Sequence, residues 1–95
     1  MNDILNCFKE LCDNSTISDL QWDNDLQIIM FNDKRGKWKL IKDFNGYCEC
    51  GKSSKFKIML DDFMQGFVCE ECIKMEAKKK PKYIFSKHVA YFESK

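Results

Sequence analysis

Four of the six cysteines stand in two close pairs and could together hold a metal ion. Cys48 and Cys50 are separated by one residue, Cys69 and Cys72 by two, and the stretch from Gly51 to Val68 lies between the pairs. This separation is in the range of four-cysteine zinc sites. Zinc takes a tetrahedron of thiolates at about 2.3 Å, which two short chelating loops supply when a hairpin brings them together. The sequence therefore predicts one Zn²⁺ bound by these four cysteines.

The predicted site is structural rather than catalytic. Four protein sulfurs leave no open position for water, and closed sites of this kind stabilise a fold. Gly51 directly follows Cys50, and a residue without Cβ eases the backward turn that points backbone amides at the sulfurs. The ligand set does not by itself distinguish zinc from iron, because both metals accept four thiolates.

Residues 45–80, which contain both pairs, resemble the treble-clef and zinc-ribbon family of zinc fingers. In a treble clef the first cysteine pair lies on a knuckle, a β-hairpin follows, and the second pair opens a helix. Cys69 and Cys72 match this order, because they lead into a predicted helix. The first pair departs from the pattern, with one intervening residue instead of two. The resemblance implies a fold-stabilising zinc ion and a role in contacting nucleic acid or docking on protein.

Other interpretations of the thiols stay open. The two pairs could be reduced, partly buried thiols without metal, or Cys69 and Cys72 could form a redox couple. The redox couple has less support, because no βαβ pattern accompanies it, and disulfides are not expected inside a cell. Cys7 and Cys12 are predicted to pack as small hydrophobes beside the first helix. The single histidine, His88, is predicted to be a surface or core residue, with replacement of one cysteine ligand as the alternative.

The residues ahead of the cysteine pairs predict two helical elements. From Asn2 to Asp13, apolar residues recur at the spacing of one helix face, with Asn2 available as N-cap. Ser18 is followed three residues later by Gln21, which is the spacing of a capping box. A helix and then a short helical turn are therefore expected at the start of the chain.

A β-hairpin is predicted next. Leu26–Asn32 and Lys37–Phe44 are rich in β-branched and aromatic residues, and the polar residues between them end in glycine, as a hairpin turn requires. In the second strand, Trp38, Leu40 and Phe44 are expected to face the core, while the lysines between them face water.

Three elements are predicted within and after the cysteine region. Lys55–Leu60 alternates apolar and polar residues and predicts a strand with its phenylalanine, isoleucine and leucine inward. Glu70–Lys80 begins with acids and ends with lysines, the charge order that a helix dipole favours, and Pro81 stops it. Lys82–Glu93 predicts a strand, with a helix as the alternative.

The composition is that of a small globular protein. Hydrophobic residues make up 44% of the chain and charged residues 33%, with one proline and four glycines, which argues against a disordered linker. We expect one α+β domain over residues 1–95, with a helix and hairpin in 1–44, the zinc module in 45–80 and a strand or helix in 81–95. The sequence shows neither an apolar run near the roughly 18 residues of a membrane span nor a secretory signal, so an intracellular, cytoplasmic location is expected.

The charges are unevenly distributed along the chain. Residues 1–33 hold seven acids and one lysine, whereas the rest holds fifteen basic and eight acidic residues. This basic part predicts nucleic-acid binding, with Trp38 or Tyr83 available to stack on bases. The predicted contact residues are Lys34, Arg35, Lys37, Lys39, Lys52, Lys55, Lys57, Lys78, Lys79, Lys80 and Lys82. The alternative is that these lysines are only the solvated face of each element. The lysines around Pro81 also resemble a nuclear-localisation signal, so a nuclear location is the second expectation.

The alternative function is that of a protein-interaction regulator or inhibitor that docks on a nucleic-acid-processing machine. The resemblance implies this role as much as nucleic-acid binding, and the acidic first third of the chain would suit a basic host surface. An enzyme is not expected, because the sequence has one histidine, no nucleophile motif and no glycine-rich phosphate loop. The acid pairs Asp61-Asp62 and Glu70-Glu71 are expected to be solvated.

Overall fold

The computed structural model describes residues 2–86 and residue 88. At its centre is an antiparallel sheet of five strands, which pair in the order in which they follow along the chain. The helices are α1 (Asn2–Asp13) and α2 (Glu70–Lys79), and the strands are β1 (Ser18–Asp23), β2 (Ile28–Asp33), β3 (Gly36–Lys42), β4 (Phe56–Leu60) and β5 (Phe63–Val68). The predicted α+β class is confirmed. Within the described residues, neither helix is long and apolar enough to cross a membrane.

The first helix forms as predicted, but the element after it does not. α1 buries Ile4, Phe8 and Leu11, which recur at the three- and four-residue spacing of one helix face. The helical turn predicted at Ser18–Gln21 is wrong, because this segment is strand β1, paired with β2. Hydrogen bonding along the sheet outweighs the weak local preference of a capping-box spacing.

The predicted hairpin is confirmed as β2 and β3. Phe31 pairs with Trp38 and Ile29 with Leu40, and all four side chains are buried. Phe44 is a correction: β3 ends at Lys42, and the Phe44 side chain is 56% exposed instead of facing the core. The period-two pattern stops where the strand stops, so it says nothing about a residue two positions beyond.

The sheet has one buried face, which we call the inner face. Its side chains join those of both helices in a single core. Phe8 of α1 stacks on Phe31 at 5.2 Å between ring centroids, and Phe31 stacks on Trp38 at 6.3 Å. Phe85, which follows α2, meets Trp38 edge to face at 6.1 Å. Aromatic contacts therefore connect both ends of the described chain through the middle of the sheet.

The other face of the sheet, the outer face, stays partly exposed. The registers of β2 to β5 place on it the side chains of Ile28, Met30, Asn32, Lys37, Lys39, Ile41, Lys57, Met59, Met64 and Phe67, and the register of β1 adds Ser18, Gln21 and Asp23 at its edge. Lys39 lies directly between Met30 and Met59 on the neighbouring strands, and Lys57 between Ile41 and Phe67. On β3 and β4 of the outer face, lysines thus alternate with apolar side chains across the strands.

A two-residue turn joins β4 to β5 and also holds the start of β3. Asp61 and Asp62 both have positive φ, 49° and 71°, as in the type I′ turn that suits the twist of a hairpin. Both are exposed, as expected of a solvated pair. The Asp61 carboxylate also accepts a hydrogen bond from the Lys37 amide at 2.9 Å, and a Cβ on Gly36 would collide with it. Glycine is therefore required at the first position of β3.

The second helix is confirmed, and the segment after it forms turns. α2 ends at Lys79, and Lys80 takes a left-handed conformation ahead of Pro81. Residues 81–86 and 88 form bends and turns in which Ile84 and Phe85 are buried. The strand predicted over Lys82–Glu93 is not formed by residues 82–86, and its remainder, apart from residue 88, lies outside the described residues.

Replacing Phe8 by alanine should destabilise the domain by about 3–5 kcal/mol, because the fully buried ring leaves a cavity between α1, Phe31 and Phe85. Phe63→Ala is the matched control, since that ring is 72% exposed and its loss should cost less than about 0.5 kcal/mol. Urea unfolding of both variants at saturating metal measures the two costs. Equal costs would contradict the assigned core.

Candidate metal centre

The first cysteine pair lies on a tight turn within residues 43–55, between β3 and β4. The Cys48 amide donates to the Lys52 carbonyl at 2.8 Å, and the Gly51 amide donates to the Cys48 carbonyl at 2.9 Å. Gly51 has a φ of 93°, which only glycine adopts readily. The turn brings the Lys52 amide onto the Cys50 sulfur. This is the backward turn that the glycine after Cys50 predicts.

The second pair lies where β5 passes into α2. Cys69 is the N-cap residue of α2, with φ −90° and ψ 164°, and Cys72 lies in the first helical turn. The β4–β5 hairpin returns the chain so that Val68 at its end pairs with Phe56 at its beginning, beside the turn that carries the first pair. The order of knuckle, hairpin and helix start agrees with the sequence resemblance.

All four predicted ligands converge on one point. The Sγ atoms of Cys48, Cys50, Cys69 and Cys72 lie within 4.8 Å of one another. The Cys48–Cys72 distance is 3.4 Å and the Cys50–Cys69 distance is 3.5 Å. A tetrahedron with metal–sulfur bonds of about 2.3 Å has edges of about 3.8 Å, so small adjustments place all four sulfurs on a common ion. All four cysteines are free thiols.

The thiols of the cluster differ in acidity. The Lys52 amide is the main cause that lowers the pKa of Cys50 to about 7. Burial raises the pKa of Cys69, against the opposing effect of the Cys72 amide, and burial also raises the pKa of Cys72. Four thiolates so close together repel one another, and a divalent cation removes this repulsion. The cluster is therefore suited to take up a metal ion with release of protons.

Ion pairs connect the knuckle to the second helix. Lys52 pairs with Glu71, and Lys55 pairs with Glu70 at 3.3 Å, while Lys74 reaches Glu70 from the next turn of α2 at 3.5 Å. The acids predicted to be solvated are thus also the partners of three lysines. Exposed pairs stabilise a fold only weakly, so the Lys52 and Lys55 pairs act chiefly to orient the two chelating segments.

The other two cysteines lie away from the cluster, whereas His88 lies next to it. Cys7 and Cys12 pack against the core away from the cluster, and burial raises the pKa of both. His88 is buried, and its Nε2 lies 3.3 Å from the Cys48 Sγ. The sequence offered the replacement of a cysteine by His88 as an alternative, but it carried no spacing signal that would place His88 beside one particular cysteine.

The lysines predicted to bind nucleic acid fall into several groups. Lys37, Lys39 and Lys57 lie on the outer face, whereas Lys52 and Lys55 are paired with acids at the metal centre. A third group, Lys34, Lys80 and Lys82, lines a cleft of about 630 Å³ together with Tyr83 and Asn32. Lys78 and Lys79 are exposed in the last turn of α2.

Arg35 is placed inside the fold instead of on its surface. Its guanidinium pairs with the Asp33 carboxylate at 2.7 Å, donates to the Ile84 carbonyl and lies over the Trp38 ring at 4.7 Å. The Arg35 and Asp33 side chains are only 9% and 3% exposed. Arg35 therefore anchors the segment after α2 onto the β2–β3 turn. Trp38, predicted to be free for base stacking, is fully buried.

Purified protein should contain one metal ion per chain, and Cys72→Ser should lose it, because a hydroxyl is a poor ligand in a thiolate site. Cys7→Ser is the matched control and should keep the metal, since Cys7 lies outside the cluster. Elemental mass analysis measures the content, and circular dichroism before and after a strong chelator measures the loss of structure. Metal-free wild-type protein that stays folded would contradict the metal centre.

The cluster is consistent with a metal-binding module of four cysteines. Comparison with protein-family models, curated proteins and solved structures finds no significant match to this chain.

Proposed function

We propose that the chain is a zinc-stabilised protein that binds single-stranded nucleic acid across the outer face of its sheet. Zinc is the metal that best fits four thiolates in a closed tetrahedral site with no redox requirement. The four sulfurs complete its coordination, so the ion holds the knuckle, hairpin and helix together and the binding chemistry lies elsewhere. Free thiols of this kind persist in a reducing cytoplasm or nucleus, where nucleic acid is also found.

The alternation of lysines with apolar side chains on the outer face carries the proposal. Lys39 lies between two methionines, and Lys57 lies between Ile41 and Phe67. On β3 and β4 the outer-face residues are three lysines, one isoleucine and one methionine, without an acid. Single strands are bound by surfaces that combine cations for the phosphates with aromatic rings on which bases stack; on the outer face this ring is Phe67, and the polarizable methionines lie near it. The outer face has both in register.

The cleft extends this surface towards the end of α2. Asn32 lines the cleft and also a shallow groove on the outer face, together with Met30 and Lys37, and its side-chain amide donates to the Asp19 carboxylate at the edge of this groove at 2.9 Å. Lysines therefore follow a path from Lys80 and Lys82 in the cleft, past Asn32, onto the centre of the sheet. Tyr83 is partly exposed at the cleft and supplies a second ring for a base.

A sheet face suits a single strand better than a duplex. Reading the major groove requires a protruding helix or a two-stranded ribbon, whereas here both helices pack on the inner face. The chain has a single arginine, and Arg35 is engaged with Asp33. The bidentate arginine contact that most often reads guanine is therefore not available. We therefore propose binding with little sequence preference, governed by phosphate charge and stacking.

Docking on a basic protein surface is the second candidate. The exposed acids of α1, β1 and the following turn include Glu10, Asp19, Asp23 and Asp25, and Leu26, whose amide donates to the Asp23 carboxylate, is 65% exposed. Exposed acids together with an exposed leucine fit a basic host surface that ordinarily holds nucleic acid. In this case the protein would act as a regulator of a nucleic-acid-processing machine and would not itself bind oligonucleotides.

The triple variant Lys37→Gln, Lys39→Gln, Lys57→Gln should weaken binding to a labelled random-sequence oligonucleotide. Each phosphate contact in a single strand contributes about 0.7 to the salt dependence of log K, so the slope against log salt should fall by about 2. Fluorescence anisotropy at several salt concentrations measures it.

The matched control is Lys52→Gln, Lys55→Gln, Lys74→Gln, which removes the same charge from lysines paired with Glu70 and Glu71. It should leave most of the slope in place. Equal losses in both triple variants would mean that only net charge matters. If wild-type protein shows no binding at low salt, nucleic-acid binding fails and the docking role becomes the better explanation.

A further inference from the structure

We propose that His88 supports the metal centre without binding the ion itself: its Nε2–H donates a hydrogen bond to the Cys48 thiolate. Through this bond, metal binding and the docking of residues 81–86 and 88, which we call the C-terminal turn segment, stabilise each other. The inference rests on the zinc site of the proposed function and is independent of nucleic-acid binding.

The hydrogen bond follows from geometry and from the protonation state of a bound thiolate. His88 Nε2 lies 3.3 Å from Cys48 Sγ, within the range of a nitrogen–sulfur hydrogen bond. A cysteine that binds a metal ion has lost its proton and can only accept. The imidazole must therefore donate. Both residues are buried, which strengthens a hydrogen bond to a charged acceptor.

The negative charge of a metal-loaded site explains why a hydrogen-bond donor to Cys48 would stabilise it. One divalent ion with four thiolates carries a net charge of −2, which is costly to place in a protein interior unless donors surround it. The Lys52 amide faces Cys50, and the Cys72 amide faces Cys69. His88 supplies the corresponding donor to Cys48, which is one of the two buried ligands. Donors of this kind orient metal ligands and tune their affinity.

The position of His88 is fixed by the core and by β5. Its amide donates to the Phe85 carbonyl at 2.9 Å, and its ring meets the Phe85 ring edge to face at 6.0 Å. Phe85 is fully buried against Phe8 and Trp38. On the other side, a Cβ on Gly66 would lie 3.1 Å from the His88 carbonyl oxygen. The absence of a side chain at Gly66 thus leaves the space that the histidine backbone occupies.

These contacts form a continuous connection from the metal to the aromatic core. The ion would fix Cys48, Cys48 fixes His88, and His88 continues into Phe85 and the rings beneath it. The same segment is also held in its middle, where Arg35 donates to the Ile84 carbonyl, and at its start, where the Thr16 hydroxyl donates to the Pro81 carbonyl at 3.1 Å. We therefore expect the C-terminal turn segment to be docked tightly with metal bound and loosely without it.

The test compares wild-type protein with His88→Ala, His88→Gln and Gly66→Ala, each first shown by circular dichroism to be folded with metal. Competition with a chromophoric chelator measures the affinity for Zn²⁺. His88→Ala should bind zinc about 10–100-fold more weakly, as expected when an outer partner of a ligand is lost. His88→Gln keeps an N–H donor and should recover part of the affinity. Gly66→Ala should lose part of it by displacing the His88 backbone.

Two further measurements distinguish a role of His88 as hydrogen-bond donor to Cys48 from a role in packing alone. The ¹¹³Cd NMR shift of cadmium-loaded protein reports four sulfur ligands and should move in His88→Ala without leaving the four-sulfur range. Tryptic cleavage after Lys82, which is exposed, should be slowed by metal much more in wild-type protein than in His88→Ala.

Unchanged zinc affinity and an unchanged cadmium shift in His88→Ala would overturn the proposal. A cadmium shift of the three-sulfur, one-nitrogen class in wild-type protein would overturn it differently, since His88 would then be a direct ligand. Wild-type protein without affinity for zinc would refute both this inference and the metal centre. A negative oligonucleotide titration would leave the His88 result intact, so the two failures can be told apart.

Discussion

The convergence of four sulfurs within 4.8 Å is the constraint on which the rest of the fold depends. It requires the knuckle to turn back at Gly51, the β4–β5 connection to be a tight two-residue turn, and α2 to begin directly after Cys69. A chain of this size buries a modest core, and the net stability of native domains is about 5–15 kcal/mol. Zinc binding contributes on the order of 10 kcal/mol in zinc-finger peptides, so a bound ion would be comparable to everything else that holds the domain together.

The metal centre and the aromatic core are parts of one structure. β4 and β5 belong to the same sheet as Phe31, on which Phe8 of α1 packs, and β5 leads directly to Cys69 of the cluster. The segment after α2 returns across the same core, held at Pro81 by Thr16, at Ile84 by Arg35 and at its end by the contact of His88 with Cys48. Its position therefore depends on the core and on the cysteine cluster together.

The sequence predicts what depends on local pattern and misses what depends on distant partners. The helix bounds of α1, the inward residues of β4 and the four clustered cysteines follow from periodicity and spacing. Strand β1 was missed because its residues form a strand only by pairing with β2. The burial of Arg35 depends on Asp33 and on the carbonyl of Ile84, which is 49 residues away, and the approach of His88 to Cys48 spans 40 residues. No spacing rule covers contacts of that range.

The outer face of the sheet lies apart from the cysteine cluster. Because the cluster, both helices and the C-terminal turn segment all lie with the inner face and its edge, the outer face is left with Met30, Ile41 and Met59 partly exposed. A sheet whose exposed face served only to meet water would carry polar residues in alternation with the buried ones. Here alternate positions on neighbouring strands are apolar, and the lysines between them add positive charge without neighbouring acids on β3 and β4. This apolar surface framed by lysines is the ground for proposing that the outer face binds an anionic partner. A metal ion bound by the cluster would supply stability that a small domain otherwise obtains from a second packed layer, and would so leave this face of the sheet open.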